Sequence, residues 1–128
     1  MATGFPASTG DVLSAAMYNG LVTFDISTQS GATYTVANAD LYQKTILTSN
    51  ASTKTVTIAP DSTLTAAAVG STITFINTGA GLLTFAAGAG VTIVSAGAVS
   101  AAPTLAQYKA CSAIRQSANS WIIVGAIA

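Results

Sequence analysis

The chain has 128 residues, of which 51% are apolar and only 6% charged, with no formal net charge; an ordinary soluble domain is about 25% charged. Four scattered cations, Lys44, Lys54, Lys109 and Arg115, cannot make the clustered surface that phosphates require, which argues against nucleic acid as a partner. The length fits a single domain with a real core, and a neutral surface rich in Ser, Thr, Ala and Gly suits a chain covered by copies of itself or by a partner.

Taken in chain order, residues 1–6, ending in Phe5-Pro6, read as an extended arm. Asp11 is placed to cap a short helix over Val12–Asn19, with Gly20 as its stop. Residues 1–24 thus form a docking element, with Phe5, Pro6, Val12, Leu13 and Tyr18 as candidate contacts. After Gly20 the period changes to the two expected of strands. Strands are predicted over Leu21–Ser27, Ala32–Ala37, Leu41–Ser49, Thr53–Ala59, Ser71–Asn77, Leu82–Ala86, Val91–Ser95, Gln107–Arg115 and Ser120–Ala126. The last two form a hairpin around Ser117-Ala118-Asn119, whereas Thr63–Val69 suits either a strand or a helical turn. Val56, Ile58, Ile73, Phe75, Phe85, Ile93, Tyr108, Trp121 and Ile123 are the candidate core or subunit-interface residues.

Short strands at roughly ten-residue spacing with Gly-rich turns predict an all-β body over residues 25–128, an antiparallel β-sandwich or jelly-roll-like barrel. Parallel pairing is not expected, because no helices separate the strands. Thr72-Ile73-Thr74-Phe75, Leu82-Leu83-Thr84-Phe85 and Val91-Thr92-Ile93-Val94 look alike, but alternation alone generates this and no fixed-period solenoid is assigned.

No catalytic constellation is expected. His and Glu are absent, which removes the commonest general base and metal ligand. Cys111 is the only cysteine, so neither an internal disulfide nor a zinc cluster can form. A lone cysteine also fits a reducing compartment such as cytoplasm. Asp11, Asp40 and Asp61 sit beside cap, strand-edge and turn residues, where Asp is structural. Gly79-Ala80-Gly81 and Gly88-Ala89-Gly90 lack the following helix and Lys of a phosphate cradle and read as tight turns. Asn50-Ala51-Ser52 reads as a turn, and Met1-Ala2-Thr3-Gly4 has no secretory character. Ser62–Tyr108 carries no charge, but polar and Gly residues interrupt it, so no membrane span is expected. Tyr18, Tyr42, Tyr108 and Trp121 could build a sugar-stacking platform, although such aromatics more often serve a core or an interface.

Val69-Gly70-Ser71-Thr72-Ile73-Thr74-Phe75-Ile76-Asn77-Thr78-Gly79-Ala80-Gly81, then Leu83-Thr84-Phe85, Gly90-Val91-Thr92-Ile93, Tyr108 and Trp121–Gly125, resembles a β domain of tailed-bacteriophage virion proteins. Thr55–Pro60 resembles the strand end that precedes it, so the likeness covers about residues 41–128. Gly10–Leu21 is similar to a segment near the start of phage tail and appendage proteins. The resemblance implies a non-catalytic, usually trimeric virion module with no cofactor. A small free-standing chain of this kind implies a homotrimeric capsid decoration (cement) protein on the major capsid protein, assembled in the bacterial cytoplasm. The alternative it implies is a tail fibre, a tail adaptor or a module binding host-surface glycans.

Overall fold

The computed structural model describes residues 14–22, 24–41 and 44–128. A short helical run, α1 (Ala15–Val22), precedes ten strands. These are β1 (Asp25–Gln29), β2 (Thr33–Thr35), β3 (Lys44–Thr48), β4 (Lys54–Ile58), β5 (Thr72–Asn77), β6 (Leu83–Ala87), β7 (Thr92–Ser95), β8 (Thr104–Leu105), β9 (Lys109–Ser117) and β10 (Ser120–Gly125). A 3₁₀ turn over Asn38–Leu41 separates β2 from β3. The expected helix over Val12–Asn19 begins outside the described residues, and Gly20, expected as its stop, lies inside α1.

The strands make two sheets. Sheet A has six strands in the order β1-β3-β5-β9-β10-β7, and sheet B has four in the order β2-β4-β6-β8. The all-β class is as expected and two sheets around one core are compatible with a sandwich, but the expected antiparallel pairing is not what forms. Five of the eight strand pairings among the described residues are parallel, and both sheets are mixed. Parallel pairing is unexpected because no helices separate the strands. Here a strand of the other sheet serves as the crossover: the chain passes from β1 in A to β2 in B, back to β3, across to β4, and so on to β6. Each winding places its strand beside the same-sheet strand before it. The antiparallel β9–β10 hairpin then joins β5 to β7, closing sheet A.

The alternating pattern dictates which face is buried. Val56 and Ile58 of β4, Leu83 and Phe85 of β6, Ile73 and Phe75 of β5, and Trp121 and Ile123 of β10 all point between the sheets with no exposed surface. Phe75 meets Phe85 edge to face, with ring centroids 5.0 Å apart, an arrangement worth about 1 kcal/mol beyond the area it buries. The ambiguous stretch 63–69 is neither strand nor helix. It forms successive turns that close onto Pro60 and fold Leu64 into the core.

The windings stack through their turns. Asn50 donates its side-chain N–H to Ser30 O, and Gly81 N–H donates to Asn50 O. The turns at residues 30–32, 49–53 and 78–82 therefore lie one upon another. A Cβ on Gly81 would sit 1.7 Å from Ser52 O and one on Gly79 would sit 2.2 Å from Asn50 O, so no larger residue fits this stack.

Candidate functional site: two sheet faces without charge

Seven of the eight charged side chains lie among the described residues, and none stands on the outward face of either sheet. Asp25 and Lys44, at the starts of neighbouring strands, approach to 3.9 Å. Asp61 receives two hydrogen bonds from Arg115, at 2.7 and 3.2 Å, and a third from Asn119 N–H. That pairing holds the Asp61 carboxyl below its ordinary pKa, the hydrogen bond from Arg115 being the chief cause. It ties the Pro60 turn to the β9–β10 hairpin. Asp40 is buried in the 3₁₀ turn rather than at a strand edge, and accepts hydrogen bonds from Tyr34 Oη at 2.6 Å and Ala37 N–H. Burial and then Asp40 raise the Tyr34 pKa. Lys54 is buried on the inner face of β4, donating to Gly31 O, and desolvation lowers its pKa. Lys109, at the start of β9, is exposed.

What remains outside is hydroxyl and hydrocarbon. On sheet A three rows cross the strands in register: Ile26–Thr45–Thr74–Ser112–Val124, Thr28–Leu47–Ile76–Ala110, and Thr72–Ile114–Ile122–Val94. On sheet B the outward residues are almost all threonine, with Thr33–Thr55–Thr84–Thr104 in one row and Thr35–Thr57–Ala86 in the next. β-branched side chains shield one another on a pleated surface, so many of these residues are half-buried already within one chain.

Among the docking candidates, Phe5, Pro6, Val12 and Leu13 lie outside the described residues, and Tyr18 of α1 is exposed. The structure brings Val56, Ile58, Ile73, Phe75, Phe85, Ile93, Trp121 and Ile123 together in the chain's own core. Tyr108 stands apart from them. It is 77% exposed and has φ of 61°, a left-handed conformation that is costly for a bulky side chain. Its N–H donates to Asn77 O at 2.6 Å, which pins that backbone.

Two residues missed in the sequence organise the interior. Asn77 donates to Gly81 O and Leu105 O and accepts from Thr48 Oγ1 and Gly79 N–H, all while buried. Thr48 lies beside it in register. The available signal was an Asn ending an alternating strand immediately before Thr-Gly-Ala-Gly. Cys111 is buried, and desolvation pushes its thiol pKa up to about 12, which makes it inert as a nucleophile at neutral pH. Among the described residues no three His, Cys, Asp or Glu side chains converge, and no helix is long and apolar enough to cross a membrane. Comparison with protein-family models, with curated proteins and with solved structures finds no match.

Proposed function

We propose that the chain is a non-catalytic structural protein of a tailed-bacteriophage virion, a homotrimeric decoration protein on the outside of the major capsid shell. The observation that carries the reading is the placement of charge. The described charged side chains are paired, buried or set at strand starts, which leaves both outward sheet faces free of them. A monomer that works alone in solution normally displays charge on its outward faces to resist association. A protein that works by being covered has no such need, and desolvating Ile, Val and Thr costs far less than desolvating Lys or Asp. The virion assignment draws in addition on the sequence resemblance over residues 41–128, with residues 1–24 as the segment that docks to the shell. The test is the copy number of this chain in purified particles, measured against the major shell protein by quantitative mass spectrometry. Near-stoichiometric amounts support decoration, a handful of copies moves the chain to the tail, and absence removes the virion reading.

Tyr108 favours a second reading. An aromatic ring held outward in a strained backbone, next to the exposed Lys109, is the kind of group that stacks on a sugar. A tail fibre, tail adaptor or glycan-binding module would use it. Adsorption to host cells that Tyr108→Ala weakens would favour this role over decoration.

A further inference from the structure

The two uncharged faces differ in size and chemistry, and the difference selects one of them. Sheet A spans six strands, which at about 4.8 Å between strands and 3.3 Å per residue gives an outward face of roughly 500 Å². Two such faces together reach the roughly 1,000 Å² that a specific protein–protein contact needs. Sheet B, with four shorter strands, offers about half that area and falls below the threshold. Sheet A also carries the hydrocarbon: Leu47, Ile76, Ile114, Ile122, Val94 and Val124 lie on adjoining rows. Sheet B instead presents an almost unbroken threonine face, Thr33, Thr35, Thr55, Thr57, Thr84 and Thr104, whereas the hydroxyls of sheet A alternate with those aliphatic side chains. Such hydroxyls are best satisfied by water.

We infer that the outward face of sheet A is the surface through which copies of this chain pack on one another, while sheet B stays in solvent. The occupant is a second copy because the face is electrically neutral: like can meet like with no repulsion and no unpaired buried charge. A partner recognised through charge would find nothing to pair with there. This inference rests on the assembly reading above only in that the chain is covered by copies of itself: sheet A meeting sheet A relates two copies by a two-fold axis, so the expected unit is a dimer rather than a trimer, and it concerns the isolated chain and needs no particle.

The experiment is sedimentation velocity on the full chain over a range of concentrations, with two probes that each introduce one cysteine. Wild type is expected to sediment as an oligomer. Ile122→Lys, a change on the outward side of β10, is expected to lose the oligomer, while Thr57→Lys on sheet B keeps it. Because Ile122→Lys could fail to fold, the second measurement uses milder changes. Val124→Cys and Thr57→Cys are labelled with a maleimide, against a background in which buried Cys111 does not react. Labelling at Val124→Cys is expected to slow as concentration rises, and labelling at Thr57→Cys is expected to stay constant. A wild type that remains monomeric throughout overturns the inference. So does a folded Ile122→Lys that assembles like wild type, or protection at position 57 in place of 124. Protection of Val124→Cys only when particles are added also overturns it, since the face then belongs to the shell, and in that outcome the decoration reading stands. Association through sheet A by a chain absent from particles gives the converse result.

Discussion

At the scale of single residues, Asn77 illustrates how a polar side chain can govern an apolar interior. Its amide meets four partners, so Asn77→Ala takes the side-chain donor from Gly81 O and Leu105 O and the acceptor from the Thr48 hydroxyl, while Gly79 N–H keeps Thr48 O. The expected cost is about 2–4 kcal/mol, read as a lower urea midpoint from the fluorescence of Trp121, the only tryptophan. Trp121 has an indole N–H that is buried without a hydrogen-bond partner among the described residues. Trp121→Phe removes that unsatisfied group along with some volume, and should cost markedly less than the 3–5 kcal/mol typical of truncation to Ala. The buried ionisable groups make stability depend on alkaline pH in opposing ways. Cys111 keeps its proton up to about 12 when folded, whereas the unfolded thiol loses it near 8.5. Between those values the unfolded state binds fewer protons, so stability falls as pH rises, and Tyr34 acts in the same sense above about 10. Lys54, with its pKa lowered, has the opposite sign: the cost of its buried charge is relieved as pH rises through its folded pKa. Denaturant midpoints across this range should fall less steeply in Cys111→Ala and more steeply in Lys54→Met. At neutral pH Lys54→Met should be the more stable protein, because its buried cation has only a carbonyl for a partner.

At the scale of elements, alternation made most strands legible. The run Lys54, Val56, Ile58 against Thr55 and Thr57 predicted one buried face, and that face is buried. The Ser117-Ala118-Asn119 hairpin was equally legible, since a two-residue connection with Asn119 at positive φ is local chemistry. Strand partnership was not legible. Residues 26, 45 and 74 lie side by side at unequal sequence intervals, because a 3₁₀ turn lies in one connection and the turns of residues 59–71 in the next. No fixed repeat survives in the sequence to announce the winding. β8, only two residues long, was missed for want of any alternation to read. The turn stack makes a sharp prediction. Gly81→Ala collides with the backbone of Ser52 and should destabilise by more than about 3 kcal/mol or prevent folding. Gly70→Ala meets open space and strains only its positive φ, for about 1 kcal/mol. Thermal unfolding of the two variants side by side separates contact from conformation.

At the scale of the whole molecule, the low charge content was plain in the composition, and the structure shows where the few charges went. Alternation also marked the outward threonines, but which strands they adjoin, and hence the area of each face, depends on the pairing that the sequence hid. Among the described residues the Asp61–Arg115 pair is the ionic tie that joins the turn after β4 to the closing hairpin. Because the folded pKa of Asp61 lies below its unfolded value near 3.9, its contribution is fully present above about pH 4 and is lost as pH falls through the folded pKa. Asp61→Asn should therefore flatten the acid limb of the stability profile while lowering stability at neutral pH, as followed by urea unfolding at a series of pH values.

The order of sheet A also bears on how the chain is synthesised. β7 precedes β9 and β10 in sequence, yet its only neighbour in the sheet is β10. On the ribosome the windings through β6 can form as they emerge, but β7 must wait with both edges bare until β10 is made. Completion is therefore a single late event, in which the hairpin settles between β5 and β7 and seals both at once. A nascent or truncated chain that stops before Ser120 leaves β7 without its partner and β9 with a bare edge, which makes that stage the one at which exposed strand edges most need shielding.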